Sequence, residues 1–416
     1  MEKQMFKVGV IGGGAAGMMA ALSASRILSA GDVVLLEKNP MLGRKILATG
    51  NGRCNFSNRG CSWKDYGGKD LSLVRHAFEH LSPVQTVELF EELGVLAREE
   101  SEGRLYPYSE QASSVADALQ SALEETGVVI RLEREVTGVK KPEGKFVVEW
   151  DGGFTQVESL IIATGGKAGH GFGSTGDGYG FAKSFGHSLE RPLPALVRVV
   201  TESGVSDNLK GVRAKGAVSL AKEKKLVARE EGEIQFTEDG LSGICIFNLS
   251  RILGDKPSDY SIQIDLFPGF SVERLLGLLE SRGSTFGNRP AKSILEGMLH
   301  SRLIPIYLEL SGVDASSSTC QVDDEKLLCL ARLLKCREVA VKATKGWKEA
   351  QVTVGGVKGE EVYGETLESK IVPGLFFAGE VLDVDGKCGG WNLQWAWSSG
   401  WTAGKHAALF SLQDGK

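Results

Sequence analysis

The stretch FKVGVIGGGAAGMMAALSA, residues 6–24, decides the fold of this 416-residue chain. Its first six residues are rich in valine and isoleucine, which predicts a buried strand, and the run 15–29 has the composition of a helix. Three glycines in G-x-G-x-x-G spacing join the two elements. The apolar run VVLLE follows and ends at Glu37, as a second strand would. The segment therefore predicts a strand–helix–strand unit that opens an α/β fold with a parallel sheet.

The three glycines have separate tasks in a dinucleotide site. The first permits a tight turn, the second lets the backbone approach a pyrophosphate, and the third brings helix and strand together. They are Gly12, Gly14 and Gly17. Ala15 and Ala16 begin the helix, so we expect their amides to face the same phosphates. Glu37, at the end of the next strand, suits ribose hydroxyls and would repel a 2′-phosphate, which indicates FAD or NAD rather than NADP.

Two further segments favour FAD over NAD. The buried strand of SLIIATGG delivers small residues to a place where the backbone can lie close to an extended cofactor. These residues are Thr164, Gly165 and Gly166. A second apolar strand, in GLFFAGEVLD, ends at Gly379 and Glu380, whose carboxylate could accept hydrogen bonds from ribityl hydroxyls. Taken alone, SLIIATGG is also compatible with an ordinary tight turn, and the second segment with the glycine-rich GKCGGWNLQ that follows it is compatible with the entry to a surface helix.

The segment GKCGGWNLQ, residues 386–394, follows Glu380 closely and belongs with it to the third part of the FAD site, after the glycine turn and SLIIATGG. A helix is predicted to start near Asn392, and its free amides and dipole would stabilise negative charge at the N1/C2=O edge of a reduced flavin. Gly390, Asn392 and Leu393 are the expected contacts. The three segments together predict a tightly and noncovalently bound FAD.

The loop LGRKILATGNGRCN, residues 42–55, has more glycine and positive charge than a connection needs. Its side chains could meet pyrophosphate or flavin carbonyl oxygens, or any one of them could be solvated. The candidates are Arg44, Lys45, Asn51, Gly52, Arg53 and Cys54, although Cys54 is more readily interpreted as a small packing residue.

With these segments in order, the chain resembles the bacterial NAD(P)/FAD-dependent oxidoreductases of the aminoacetone oxidase-like family, which includes bile-acid dehydroxylation flavoprotein reductases. The resemblance runs nearly end to end. It rests on GGGAAGMMAA, GRKILATGNGRCNFSN, GRLYPYSEQASSV, IIATGGK, GSTGDGYGFA, GEIQFTEDGLSG, EAQVTVGGV and TLESKIVPGLFFAGEVLDVDGKCGGWNLQWAWSSG.

The resemblance implies an FAD-binding domain of two chain segments, interrupted by an insert with a β-barrel-like part and a helical part. It also implies that Lys38 contacts FAD and that Gly355 and Gly356 pass near the flavin. The chain departs from the family pattern at 168–172, which reads AGHGF, and at Trp391, where a tyrosine is usual. Both departures border the expected flavin site, so the substrate of a relative does not transfer directly.

We place the domain boundaries from the changes of pattern along the chain. Residues 1–195 and 345–416 are predicted to form the FAD-binding domain. Residues 196–272 with 335–344 are predicted to form the β-rich insert, and 273–334 the helical insert.

Flavin chemistry needs no protein nucleophile, and candidates for proton transfer or substrate binding are few. His170 lies in a glycine-rich loop, and Tyr106 stands beside Arg104, which could anchor an anionic substrate. Each has a plain alternative as a structural or solvated side chain. His76 and His80 stand four residues apart, but HAFEH lacks the glutamate of a zinc hydrolase, so we predict a solvated helix face and no metal site.

Composition restricts the function further. With 48 basic and 53 acidic residues and no basic run, nucleic acid is not an expected partner. No stretch is apolar enough to span a membrane, and the seven cysteines contain no Cys-x-x-Cys pair, which favours reduced thiols in the cytoplasm. The oligomeric state is open.

We therefore predict an FAD-dependent oxidoreductase that moves a hydride between an organic substrate and NAD(P)H or dioxygen through the flavin N5. Because no second G-x-G-x-x-G follows a strand, any NAD(P)H would bind transiently. The alternatives are an amine oxidase of the aminoacetone type that releases peroxide, and an RNA-associated or noncatalytic flavoprotein.

Overall fold

A computed structural model describes residues 5–202 and 208–413. The strands are β1 (Met5–Ile11), β2 (Val33–Leu36), β3 (Ser57–Asn58), β4 (Ala97–Glu99), β5 (Arg104–Pro107), β6 (Val129–Arg131), β7 (Val136–Lys140), β8 (Phe146–Trp150), β9 (Gly153–Ile162), β10 (Leu189–Ala195), β11 (Val199–Thr201), β12 (Arg213–Lys222), β13 (Lys225–Phe236), β14 (Gly240–Ser242), β15 (Tyr260–Asp265), β16 (Arg337–Thr344), β17 (Val352–Val357) and β18 (Leu375–Phe377). The α-helices are α1 (Ala15–Ser25), α2 (Arg44–Ala48), α3 (Ser72–His80), α4 (Pro83–Glu92), α5 (Ala112–Glu125), α6 (Asp177–Ser184), α7 (Ile244–Ser250), α8 (Val272–Phe286), α9 (Ile304–Leu310), α10 (Asp324–Lys335) and α11 (Trp391–Gln413).

The chain forms two compact units. The first runs to Pro194 and resumes at Ala350, and the second runs from Ala195 to Glu349. A Rossmann-like sheet in the first unit has the strand order β6-β2-β1-β9-β8-β7, and β18 also pairs with β9. This confirms the predicted fold class, an α/β domain of two chain segments with an insert.

The parallel strands of this sheet end at a common edge. Ile11 of β1 lies opposite Leu36 of β2 on one side and Ile162 of β9 on the other, and Phe377 of β18 also lies opposite Ile162. The residues that directly follow these strands are therefore neighbours, although they are distant in sequence. In open α/β sheets this edge is where ligands bind.

Helices α1 and α11 pack closely together against the sheet. Every residue of α1 after Ala15 is buried, as expected of a helix covered on all sides. Gly400 and Gly404 of α11 lie directly against the carbonyl oxygens of Ala16 and Ala20, where a side chain would overlap them. The contact fixes the long helix α11 relative to the glycine turn before α1.

Among the described residues, the second unit contains a closed antiparallel barrel and four α-helices, α7 to α10. The barrel order is β11-β14-β13-β12-β15-β16, with β11 also pairing with β16. Helices α8, α9 and α10 contribute Leu275, Tyr307 and Leu330 to the same hydrophobic core as the barrel residues Val218 and Ile262. The finer boundaries proposed within this insert stay a prediction.

The first helix is shorter than expected, since the one predicted over 15–29 ends at Ser25. Residues 82–98 have apolar positions at helical spacing, but α4 ends at Glu92 and residues 97–99 form β4. Ser82 caps α4 by accepting a hydrogen bond from the amide of Gln85, whose side chain accepts one from Ser82 in return. Within the described ranges no helix combines the length and apolar character needed to cross a membrane.

Candidate functional site

The glycine turn between β1 and α1 leaves the start of the helix open. Gly12 has a φ of 106°, and a Cβ there would lie 2.6 Å from the carbonyl oxygen of Ala163. A Cβ on Gly17 would overlap the carbonyl oxygen of Gly12. A Cβ on Gly14, by contrast, would meet nothing within 4 Å, and Gly14 caps α1 without a side-chain hydrogen bond. Uncapped amides facing open space are the setting in which helix N-termini bind phosphate.

Glu37 is buried directly beside this turn. One carboxylate oxygen accepts a hydrogen bond from the Gly13 amide at 2.6 Å. The other accepts from the backbone amide and the side-chain Nδ2 of Asn39, at 2.8 and 2.6 Å. A carboxylate has about four acceptor positions, so about one is left for a ribose hydroxyl. Asn39, which the sequence analysis did not single out, thus shares the site with Glu37.

The loop before α6 covers the residues that follow Glu37. Arg44 donates to the side-chain oxygen of Asn39 at 2.6 Å and to the carbonyl oxygen of Gly171 at 3.2 Å. Lys38 forms an ion pair with Asp177 at 2.5 Å. His170 lies exposed in the same loop. The predicted cations Lys38 and Arg44 are therefore already bonded to protein groups.

A second cluster joins the ends of β9 and β18. Lys45 donates to Glu380 at 2.8 Å, and the other oxygen of Glu380 accepts the Thr353 amide at 2.8 Å. The Thr353 hydroxyl accepts the amide of Lys167 at 2.8 Å. A Cβ on Gly166 would overlap Thr353 and crowd Glu380. The structure thus brings Lys45, Gly166 and Glu380, each of which is a predicted FAD contact, together with Thr353.

The glycine pair after Thr353 passes along the same edge. A Cβ on Gly356 would lie 2.6 Å from the Val381 carbonyl oxygen, and Gly355 lies against the carbonyl oxygen of Arg191. Gly379 has a φ of 76°, and a Cβ there would lie 2.7 Å from the Cβ of Ala16. The end of β18 and the start of α1 are therefore in direct contact.

The loop 49–55 is held in an unusual backbone conformation. Gly50, Asn51 and Cys54 have φ values of 57°, 56° and 59°. Left-handed conformations of residues other than glycine are uncommon and concentrate at functional sites. Asn51 and Gly52 are exposed, whereas Cys54 is fully buried. Burial raises the pKa of the Cys54 thiol to about 12, which keeps it protonated and favours the packing interpretation.

Helix α11 begins one residue earlier than predicted, at Trp391. The side chain of Asn392 bonds to the preceding loop, accepting from the Gly386 amide at 2.8 Å and donating to the Gly386 carbonyl oxygen at 2.9 Å. A Cβ on Gly390 would lie 3.1 Å from Oδ1 of Asn55, which is buried. Leu393 is half-buried and packs against the main core. Asn392 therefore shapes the loop through its side chain.

The three predicted catalytic candidates do not form one group. Arg104 and Tyr106 are two residues apart on β5, so their side chains leave the same face of the strand. Arg104 pairs with Glu102 and approaches Gly389, while the guanidinium of Arg53 lies 4.2 Å from the ring centre of Tyr106. His170 instead belongs to the loop beside Asp177.

Several buried polar atoms of the first unit have no hydrogen-bond partner among the described residues. They include Oδ1 of Asn55, the hydroxyl of Thr164 and Nε1 of Trp391. A buried polar group without a partner costs about 1–3 kcal/mol, so such atoms indicate an additional binding partner. Together with the open helix start and Glu37, they form the donor and acceptor set that an extended dinucleotide such as FAD requires. The residues present therefore fit FAD.

A serine, a histidine and a glutamate lie in hydrogen-bonded order outside this edge. His187 contacts Ser369 Oγ at 2.7 Å through Nε2 and Glu361 at 3.1 Å through Nδ1. The Ser369 oxygen, however, accepts the amides of Ile371 and Val372 at 3.0 and 2.9 Å, and the residue is 2% exposed. Its hydroxyl must donate to His187, which leaves no free lone pair. The trio is a structural brace rather than a hydrolytic triad.

This brace predicts a pH-dependent stability. Burial lowers the pKa of His187, so the folded protein keeps the ring neutral while the unfolded chain binds a proton below about pH 6.5. The free energy of unfolding should therefore fall as the pH drops from 7 to 5, by up to about 1.4 kcal/mol per pH unit for one proton. Urea denaturation at several pH values should show a shallower dependence for His187→Asn than for the wild type. The exposed His300→Asn is the control, and equal slopes in all three would contradict the prediction.

Comparisons with known proteins extend over nearly the whole chain. The family model of the HI0933-like protein Rossmann domain matches residues 6–406. The chain is 35% identical to the 3-dehydro-bile acid delta(4,6)-reductase of Clostridium scindens, over 97% of this chain and 99% of that protein. It is 32% identical to the ribosomal RNA dihydrouridine synthase of Escherichia coli, over 96% and 97% respectively.

Among solved structures, the 3-ketosteroid delta1-dehydrogenase from Sterolibacterium denitrificans resembles the chain with a TM-score of 0.53 at 14% identity. The match covers 98% of this chain and 100% of that one, and it concerns the fold alone. The family match, by contrast, includes the glycine turn, Glu37 and the start of α11. The chain belongs to the HI0933-like family of FAD-dependent oxidoreductases with a Rossmann domain.

Proposed function

We propose that this protein is a cytoplasmic reductase that saturates a carbon–carbon double bond conjugated to a carbonyl group, with noncovalently bound FAD and with NAD(P)H as a transient electron donor. One observation supports this most. The names of the full-length relatives from Clostridium scindens and Escherichia coli describe that chemistry, since a 3-oxo-Δ4,6 bile acid contains a conjugated dienone and dihydrouridine lacks the conjugated double bond of uridine.

Bound FAD would supply the hydride chemistry of its isoalloxazine ring. The amides of Gly14, Ala15 and Ala16 would bind the pyrophosphate, and Glu37 would accept a ribose hydroxyl. The hydroxyl of Thr164 and the carboxylate of Glu380 would orient the middle of the cofactor. Their fixed positions at one sheet edge make the cradle preorganised.

The start of α11 would lie beside the isoalloxazine ring of FAD, where the hydride transfer takes place. Nε1 of Trp391 is a buried donor without a described acceptor, and it would bind a carbonyl oxygen of the bound molecules. Gly165, Gly355 and Gly356 would let the backbone lie close to the flavin. The contacts of Asn392 with the 386–387 loop hold this helix start in place.

Arg104 and Tyr106 are our candidates on the substrate side. The side chain of Arg104 is 17% exposed. Its guanidinium has five N–H donors, so it retains donors beyond its pairing with Glu102 and would bind a carboxylate or phosphate of the substrate. The hydroxyl of Tyr106, on the same face of β5, would donate the proton that one carbon of the double bond accepts when the other carbon accepts the hydride. His170, which is exposed beside Asp177, is the remaining candidate for proton transfer.

Anaerobic photometry of the purified holoprotein tests the proposal. NADH or NADPH should bleach the flavin absorbance, and a 3-oxo-Δ4,6 steroid acid should then restore it. Bleaching by a panel of amines without nicotinamide would instead support an amine oxidase. A colourless protein that cannot be reconstituted with FAD would contradict the central claim.

Reduction of uridine in ribosomal RNA is the second candidate, because the relatives from Escherichia coli and Haemophilus influenzae named for it are 32% and 29% identical. The net charge of −5 opposes tight RNA binding. Transcribed ribosomal RNA should therefore leave the reduced flavin unoxidised. Rapid reoxidation by RNA with formation of dihydrouridine, and none by the steroid, would reverse the order of the two candidates.

Replacing Arg104 by alanine should raise the KM for an anionic substrate about 10- to 100-fold, since a charge-assisted hydrogen bond contributes about 1.5–3 kcal/mol. The kcat should change little, because the contact binds substrate and transition state alike. Steady-state kinetics on the acid and on its methyl ester provide the measurement. An equal effect of the substitution on both substrates would show that Arg104 does not bind the carboxylate.

A further inference from the structure

Two histidines from distant parts of the sequence meet in the first unit. His80 is the last residue of α3, and His406 lies on α11. Their Nε2 atoms are 3.5 Å apart, whereas the ring centroids are 5.1 Å apart with the planes at 71°. Because the nitrogens are closer than the ring centres, the Nε2 edges of the two rings face each other.

A backbone carbonyl oxygen also lies beside the histidine pair. The carbonyl oxygen of Glu365 is 3.2 Å from Nε2 of His80. In the ranges 5–202 and 208–413 no group of three or more His, Cys, Asp or Glu side chains is placed to hold a metal ion. An ion here would therefore combine two imidazoles with this carbonyl oxygen and water.

The separation of the nitrogens suits a shared ion. Two imidazole nitrogens bound at about 2.1 Å with a tetrahedral angle lie about 3.4 Å apart. As a direct hydrogen bond, the 3.5 Å contact is longer than the usual range of about 2.7–3.2 Å. We propose that His80 and His406, with the Glu365 carbonyl oxygen, form a site for a divalent transition-metal ion such as Zn²⁺ or Cu²⁺. The bound ion would tie the end of α3 to α11.

The other histidine of α3 is engaged elsewhere. His76 lies one helical turn before His80, so the two could form an i, i+4 metal pair along α3. Its Nδ1 is 3.0 Å from Glu79 and its Nε2 is 3.1 Å from Arg75. Both nitrogens of His76 thus already have partners, which favours the pair across the two helices over the pair along α3.

Calorimetric titration of the holoprotein with ZnCl₂ and with CuCl₂ tests this site. We expect one ion per chain, and a rise in the thermal unfolding temperature with bound ion. His80→Asn and His406→Asn should each weaken binding at least about tenfold, because each removes one of two nitrogen ligands. The matched control His76→Asn should change it less than about twofold. Loss of binding in His76→Asn with full binding in His406→Asn would overturn the proposal in favour of the pair along α3.

A spectroscopic measurement covers the case in which a variant fails to fold. Electron paramagnetic resonance of the wild-type holoprotein with one equivalent of Cu²⁺ should show coupling to two imidazole nitrogens. Coupling to a single nitrogen, or no specific binding of either ion, would overturn the proposal.

Discussion

Replacing Gly17 by alanine is expected to abolish FAD retention and to destabilise the protein by about 3 kcal/mol or more. The added Cβ would overlap the carbonyl oxygen of Gly12, which is backbone and cannot rotate away. Either α1 or the glycine turn must shift, and both form the cofactor site. Thermal unfolding and the flavin absorbance of the purified variant measure the two effects.

Gly14→Ala separates cofactor binding from folding. A Cβ there meets no protein atom within 4 Å, and the φ of −82° and ψ of −170° are allowed for alanine. The FAD-free protein should therefore lose at most about 1 kcal/mol. FAD binding should nevertheless weaken at least about tenfold if phosphate occupies that space. Gly277→Ala on α8, which also meets nothing within 4 Å, is the control. Wild-type affinity in Gly14→Ala would show that the space is not used by the cofactor.

The residues at the sheet edge could be predicted because each is marked by its immediate neighbours in the sequence. Strands β1, β2, β9 and β18 each end in an apolar run that is followed within three residues by a glycine or an acid, and parallel strands end at a common edge. Gly12, Glu37, Thr164 and Glu380 could therefore be grouped before their contacts were known. Their roles as FAD ligands stay a prediction.

The partners of these residues could not be predicted in the same way. Asn39 and Thr353 are an ordinary turn residue and an ordinary strand residue, and their importance comes from hydrogen bonds to Glu37 and Glu380. The meeting of His80 with His406 depends on the packing of α3 and α11, since 326 positions separate the two residues. No local pattern encodes such a contact.

The hairpin of β12 and β13 in the barrel could not be predicted for a different reason. Lys222 pairs with Lys225, so the turn contains only Glu223 and Lys224, with φ values of 50° and 63°. Two-residue turns of this kind usually contain asparagine or glycine, which are the signals that sequence analysis relies on. Without them, no local signal in the sequence joins β12 and β13 into one hairpin.

Glu37→Ala is expected to weaken FAD binding about 10- to 100-fold, because hydrogen bonds to a charged group contribute about 1.5–3 kcal/mol each. The loss has two sources. A ribose hydroxyl would lose its acceptor, and the Gly13 amide would lose the carboxylate oxygen that lies 2.6 Å away and holds the turn in place. Fluorescence titration of the FAD-free protein with FAD gives the affinity.

Glu37→Gln separates the hydrogen bonding of Glu37 from its shape. Both carboxylate oxygens accept hydrogen bonds, one from Gly13 and the other from Asn39. Whichever way an amide is oriented, its NH₂ group must face one of these donors. Glutamine should therefore bind FAD nearly as poorly as alanine, despite its matching shape. Arg104→Ala, on the substrate side, and Glu92→Ala, an exposed carboxylate, should retain wild-type affinity. A comparable loss in Arg104→Ala would mean that the division between cofactor and substrate residues is wrong.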